Sequence, residues 1–103
     1  MAVITINSNN FKTEVLESKV PVLADFNATW CGPCRSMKPM LDQLAEENKG
    51  YKIVSIDVDD NSELAEEYDV SSIPCLVVFR DGEEVNRSVG LIPKDMINAL
   101  VEG

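Results

Sequence analysis

Val20-Pro21-Val22-Leu23-Ala24-Asp25-Phe26-Asn27-Ala28-Thr29-Trp30-Cys31-Gly32-Pro33-Cys34 is the stretch on which the fold turns. Val20 to Asn27 is the most apolar part of the chain and reads as a strand buried on both faces. From Cys31 the period changes. Met37, Met40, Leu41, Leu44 and Ala45 recur at three- and four-residue spacings. That spacing predicts one long helix from about Cys31 to Asn48, ended by Gly50. Pro39 lies inside it and is expected to kink it at the cost of one hydrogen bond. Lys52 to Asp57 then reads as the next strand, which makes a strand–helix–strand crossover between parallel neighbours.

The same periods extend outward. Val3-Ile4-Thr5-Ile6 is a short β-branched run suited to an edge strand. Asn9 or Asn10 can cap a helix reaching about Ser18, with Phe11, Val15 and Leu16 inward. Ser62 opens a short helix to about Tyr68, with Leu64 and Ala65 inward. Cys75 to Arg80 and Glu83 to Val89 are strands joined by Asp81-Gly82, a strong hairpin signal. Pro93 suits the first residue of a last helix ending near Val101. The order is β-α-β-α-β-α-β-β-α, which implies an α/β fold with a mixed sheet and helices on both faces. With no repeat, linker or low-complexity run, residues 1–103 are expected to form a single domain. Cys31 and Cys34 fall at the carboxyl end of the second strand, where active sites of such sheets gather.

Composition excludes several functions. Nine Lys and Arg stand against eighteen Asp and Glu, for a net charge of -9. Phosphate backbones need clustered cations, and anionic membrane surfaces repel such a chain, so neither nucleic acid nor membrane is an expected partner. The charge favours a monomer. The chain has no His, which excludes Ser-His-Asp and Cys-His catalysis and any imidazole metal site. No apolar run approaches the roughly 20 residues of a membrane span. Met1 to Asn7 carries no signal-peptide pattern, so the expected location is cytoplasmic.

Cys31, Cys34 and Cys75 are the three cysteines. They are too few for a disulfide scaffold, and without His they cannot complete a usual four-ligand zinc site. Cys31-Gly32-Pro33-Cys34 leaves a redox pair or two inert thiols. At a helix start, Cys31 meets free backbone N–H groups and the positive end of the helix dipole, which favour a thiolate. Cys34 lies three residues on, about 5–6 Å away in Cβ separation, so a small shift closes a disulfide. Pro33 removes a backbone donor where none is needed, and Gly32 leaves Cys31 uncovered. Two such cysteines beside Trp30 are hard to assign to packing alone.

Trp30-Cys31-Gly32-Pro33-Cys34 resembles the active site of the thioredoxin family. Asp25-Phe26, Pro39, Asp57-Val58-Asp59, Ser72-Ile73-Pro74, Phe79-Arg80-Asp81-Gly82 and Val89-Gly90 also fall where that family has similar residues. The resemblance implies the thioredoxin fold, a central mixed five-stranded sheet flanked by four helices. It implies a thiol–disulfide oxidoreductase that reduces protein disulfides through a reversible Cys31–Cys34 dithiol/disulfide. Cys31 is then the attacking cysteine, Cys34 the resolving one, and Asp25 a buried acid beneath Cys34 whose proton affinity desolvation raises. Trp30, Gly32, Pro33, Ile73, Pro74 and Gly90 form the docking surface, with a cis Ile73–Pro74 bond offering the Ile73 backbone to the substrate chain. Partners are protein disulfides and a thioredoxin reductase; no cofactor or metal is implied. An oxidase or isomerase of the same fold, or a non-redox scaffold, are the alternatives.

Asn27 stands where many relatives have a bulky residue, and Ser55 where many have a Lys near the buried acid. Losing that cation should leave Asp25 with a higher pKa. Cys75 follows Pro74 where Thr is commonest; it is either a small buried strand residue or a possible regulatory thiol. Gly32-Pro33 carries no charge or imidazole to stabilise a Cys31 thiolate further, which marks a reductant with a potential nearer about -270 mV than about -120 mV. Equilibrated with glutathione at about -180 mV, the protein should be almost wholly oxidised. A mostly dithiol population would reverse the direction assigned to electron flow.

Overall fold

In the computed structural model, residues 2–48 and 50–103 are described. Met1, which belongs to the N-terminal stretch read above, lies outside them. The strands are β1 (Ile4–Thr5), β2 (Val22–Asn27), β3 (Lys52–Asp57), β4 (Cys75–Arg80) and β5 (Glu83–Val89). A π-helix (Lys12–Leu16) precedes β2, and the α-helices are α1 (Gly32–Glu47), α2 (Ser62–Glu67) and α3 (Lys94–Glu102). The sheet order is β1-β3-β2-β4-β5. β1, β3 and β2 run parallel, while β4 is antiparallel to β2 and to β5. This is the mixed five-stranded sheet that the order of elements implied.

Alternation along the strands divides the core into two layers. Ala24, Phe26, Val77 and Phe79 pack with Phe11 and Val15 of the first helical segment, and Leu64 and Tyr68 at α2 join them. Leu23, Leu76 and Val78 face the other way, onto Met37, Leu41 and Leu44 of α1 and Ile97 and Val101 of α3. Phe26, Leu23, Met37 and Phe79 are essentially inaccessible, each contributing about 1.5–3 kcal/mol by burial. Val22 to Phe26 of β2 are buried on both faces and Asn27 partly so, whereas Val20 and Pro21, read as part of the strand, precede it and Val20 is exposed.

Element ends differ from the sequence reading for local reasons. The first helix is a short π-helix instead of a segment reaching Ser18, with the Glu17 N–H donating to the Lys12 carbonyl. Phe11, not Asn9 or Asn10, stands at its cap and no side chain caps it. The asparagines hold the turn before it, where Asn7 Oδ1 accepts from the N–H groups of Asn9 (2.8 Å) and Asn10 (3.2 Å) and Asn10 Oδ1 accepts from the Asn7 N–H at 2.7 Å. Asn61, not Ser62, stands at the cap of α2 and uses its side chain on the Asp57 carbonyl. Pro93 is the residue before α3, in extended conformation, instead of its first helical residue.

The β4–β5 hairpin carries two further constraints. Its register shifts at Val78/Phe79, with Val78 opposite Asn86 and Phe79 opposite Glu84, so Val85 is the extra residue of a bulge. In a regular strand residues three apart face opposite sides. Across the bulge Glu84 and Arg87 meet, at 2.7 and 2.8 Å. Arg87 then donates to the carbonyls of Tyr68 (2.5 Å) and Asp69 (3.3 Å), tying β5 to the end of α2. At the turn, Asp81 and Gly82 both have positive φ, 53° and 82°. A Cβ on Gly82 would stand 2.9 Å from the Leu16 carbonyl oxygen, whereas one on Gly90 (φ 99°) would meet nothing within 4 Å. Gly82→Ala should therefore lose roughly 3 kcal/mol, strain plus clash, and Gly90→Ala about half of that. Urea unfolding of both variants measures the difference, and equal losses would remove the Leu16 contact from the account.

Candidate active site

The turn leaving β2 delivers Trp30 and Cys31 to the start of α1. Cys31 is the N-cap residue, in extended conformation, and its Sγ accepts from the Cys34 N–H at 3.3 Å. Gly32 and Pro33 are the first two helical residues, so the missing Pro33 donor falls where the helix has no internal acceptor for it. Cys31 and Cys34 are joined as a disulfide, with Cα atoms 5.2 Å apart. Both are buried, packed with Ala28 and against Val58 and Ile73, so Gly32 does not leave Cys31 uncovered as its lack of a side chain suggested. The sulfur pair thus sits where a reduced Cys31 would meet a helix N–H donor and the positive end of the α1 dipole.

Asp25 lies on β2, opposite Ser55 of β3 and Leu76 of β4. Its neighbours Ala24 and Phe26 belong to the opposite layer, so alternation turns Asp25 toward α1. It is 6% exposed, the one buried charged side chain among the described residues. Asn27 Nδ2 donates to Oδ2 at 3.2 Å, while Oδ1 has no hydrogen-bond partner among the described residues. Burial pushes the carboxyl pKa from 3.8 up to about 7, with the Asn27 donor and the Lys38 charge working against it. Lys38 is thus a cationic neighbour that the reading of Ser55 did not foresee. Asp25 and Cys34 line one crevice of about 320 Å³, together with Asn27, Ser55, Lys38 and Asp42.

The other expected site residues converge on the same end of the sheet. The Ile73–Pro74 peptide is cis, and Ile73 packs against the cluster of Ala28, Cys31 and Cys34. The Gly90 N–H donates to the Pro74 carbonyl at 2.8 Å, which fixes the two loops together. Trp30 is 66% exposed, and its Nε1 donates to Asp59 Oδ2 at 2.9 Å. Val89 and Leu91 flank Gly90 and are exposed. Cys75 follows Pro74 but points the other way, into the layer with Phe26, Val77 and Phe79. It is 1% exposed, and burial pushes its thiol pKa up.

Sequence reasoning did not single out Asp59 as the Trp30 partner, nor Lys38 and the Asn27 amide as neighbours of Asp25. Lys38 carried a usable signal, since it stands four residues after Cys34 and shares its helix face. Asn27 shares the face of Asp25 by two-residue alternation.

A paired sulfur centre on a helix start, backed by a buried acid, at the carboxyl end of a mixed sheet, defines a thiol–disulfide oxidoreductase. Comparison with known proteins agrees. The family model described as Thioredoxin matches residues 2–103. The chain is 47% identical over 102 residues to a thioredoxin of Bacillus subtilis, covering 98% of this chain and 96% of that one. It is 42% identical over 98 residues to thioredoxin 1 of Nostoc sp., covering 94% and 92%. A solved mutant thioredoxin from Halobacterium salinarum superposes with a TM-score of 0.90 at 37% identity, covering 98% of this chain and 88% of that one. The chain belongs to the thioredoxin family and is a protein-disulfide reductase with a redox-active cysteine pair.

Burial of Asp25 has a stability consequence of definite sign. Below pH about 4 the carboxyl is protonated in both folded and unfolded chains and nothing is lost. Between pH about 4 and about 7 the unfolded chain sheds the proton while the folded chain keeps it, so stability falls as pH rises and then levels off. The shift corresponds to a loss on the order of 4 kcal/mol above pH 7. Asp25→Asn should abolish that decline. The oxidised variant should exceed the parent most at pH 8, with the gap closing toward pH 4, in urea unfolding at several pH values. A gap independent of pH would assign the effect to packing.

Proposed function

We propose that Cys31 is the attacking sulfur, Cys34 the resolving one and Asp25 the proton acceptor of this reductase. The Cys31 thiolate attacks one sulfur of a target disulfide, forming a mixed disulfide and releasing one target thiolate. Cys34 gives its proton to Asp25 and attacks Cys31, and the second target thiolate leaves. Two electrons pass to the target, and the Cys31–Cys34 disulfide remains. The observation that carries this assignment is the asymmetry of the pair. Cys31 is the cap residue whose sulfur takes a helix N–H, while Cys34 lies within the helix and lines the crevice that Asp25 shares. An acid whose pKa stands at about 7 can hold or release a proton at neutral pH.

The docking surface assigned is Trp30, Gly32, Pro33, Ile73, Pro74 and Gly90, which takes an extended segment of the substrate protein beside the sulfurs. Ile73 against the Ala28, Cys31 and Cys34 cluster, the exposed Trp30 indole and the open space over Gly90 support that reading. A thioredoxin reductase returns the electrons. Residues 1–103 act as one domain, a monomer, in the cytoplasm. No helix among the described residues is long and apolar enough to cross a membrane. One similar protein is a chloroplastic M-type thioredoxin of Chlamydomonas reinhardtii, 44% identical over 98 residues, covering 94% of this chain and 70% of that one. Cys75 is assigned to packing, being buried away from the pair.

Cys34→Ser should arrest the reaction halfway. Incubated with oxidised protein substrates, it should accumulate mixed disulfides through Cys31 that dithiothreitol releases, and Cys31→Ser should accumulate none. Both should lose at least about a hundredfold in insulin reduction, since either nucleophile is indispensable to turnover. Adducts trapped through Cys34 in Cys31→Ser, at the yield of the reverse variant, would exchange the two roles.

A further inference from the structure

One hydrogen-bond cluster beside Cys34 is not used by the dithiol steps. Asn27, the last residue of β2, turns its side-chain amide back along its own strand. Its Nδ2 lies 2.8 Å from the Asp25 backbone oxygen, 2.9 Å from Ser55 Oγ and 3.2 Å from Asp25 Oδ2, so its two hydrogens serve three acceptors and the one turned to Asp25 is shared between the backbone oxygen and Oδ2. The backbone contact fixes which end of the amide is which: reversed, its oxygen would stand 2.8 Å from the Asp25 carbonyl oxygen with no hydrogen between them. Ser55 is opposite Asp25 on β3, so the sheet register itself holds the amide in place.

The cluster makes the two carboxyl oxygens of Asp25 unequal. Oδ2 receives an N–H, and an oxygen that accepts is the carbonyl oxygen when the acid is neutral. The proton then belongs on Oδ1, which is buried and has no protein partner among the described residues. Asp25, Asn27, Ser55 and Cys34 all line the one crevice.

We propose that Asn27, anchored by Ser55, is a positioning residue for the buried acid: it keeps Asp25 Oδ2 as an acceptor, directs the exchangeable proton to Oδ1 and sets how readily that proton leaves. This rests on the reading of Asp25 as the proton acceptor. The groups facing Asp25 are few. Asn27 stands on its own strand and Ser55 on β3. From α1 come Cys34 and the field of Lys38, with Arg35 and Asp42 on the same crevice. From β4 the Cys75 thiol acts through the sheet from its other face. Among these, the Asn27 donor is the largest influence favouring the carboxylate. A side chain without an N–H donor at position 27 therefore removes the main opposition to burial.

The test is an NMR titration of the Asp25 carboxyl, labelled with carbon-13, in the oxidised protein. Asn27→Ala should raise its midpoint by roughly one pH unit, the weight of one hydrogen bond to a charged group. Ser55→Ala should raise it by less. The pH profile of protein-disulfide reduction should move by the same amount in each variant. In an Asp25→Asn background, Asn27→Ala should leave the profile where it was, which a merely structural residue would not do. An unmoved or lowered midpoint in folded Asn27→Ala overturns the proposal. Should that variant not fold, the Ser55→Ala titration decides alone, a rise supporting the proposal and no rise overturning it. Unchanged activity of Asp25→Asn at every pH would instead overturn the proton-acceptor role, whatever the titrations show.

Discussion

Everything at the sulfur centre depends on the place of β2 in the middle of the sheet. Its backbone is paired to β3 on one side and β4 on the other, and both its faces are covered by helices. A strand so enclosed has one free direction at its carboxyl end, and there it hands the chain to the cap of α1. The redox pair inherits its position from that hand-over. The antiparallel neighbour β4 begins at the same end, so Ile73 and Pro74 arrive beside the sulfurs without any dedicated support. β5 follows β4 back, and the Gly90 N–H closes onto the Pro74 carbonyl. One strand's burial therefore assembles segments that lie far apart in sequence.

The same burial sets the electrostatics. A carboxyl on β2 is placed in the core whether or not the fold gains by it, and desolvation is the largest influence on its pKa. The protein offsets this only in part, with one amide donor and one solvent-exposed lysine. A strong ion pair would have held the group ionised and removed it from exchange near neutral pH. Incomplete compensation is what leaves the group able to gain and lose a proton. Stability lost at one strand position and proton exchange gained there are two sides of one desolvated carboxyl.

Much of this was legible before any coordinates. The switch of period at Cys31, the Asp81-Gly82 turn and the alternation of elements specify the sheet, because burial and turn conformation are written in residue type. The Cys31–Cys34 spacing specifies the chemistry for the same reason. What failed to show was decided between segments distant in sequence. The direction of Cys75 follows from register against Phe26 and Val89, which no local pattern reveals. Asn27 reads as a departure from its relatives until Ser55 is placed beside it.

The bulge at Val85 reaches beyond the hairpin. β5 is one rim of the sheet and β1, two residues long, is the other. A kinked rim studded with Glu83, Glu84 and Arg87 offers an arriving polypeptide no straight ladder of free amides, and a two-residue rim offers almost none. The molecule is thereby guarded against the stacking of copies edge to edge.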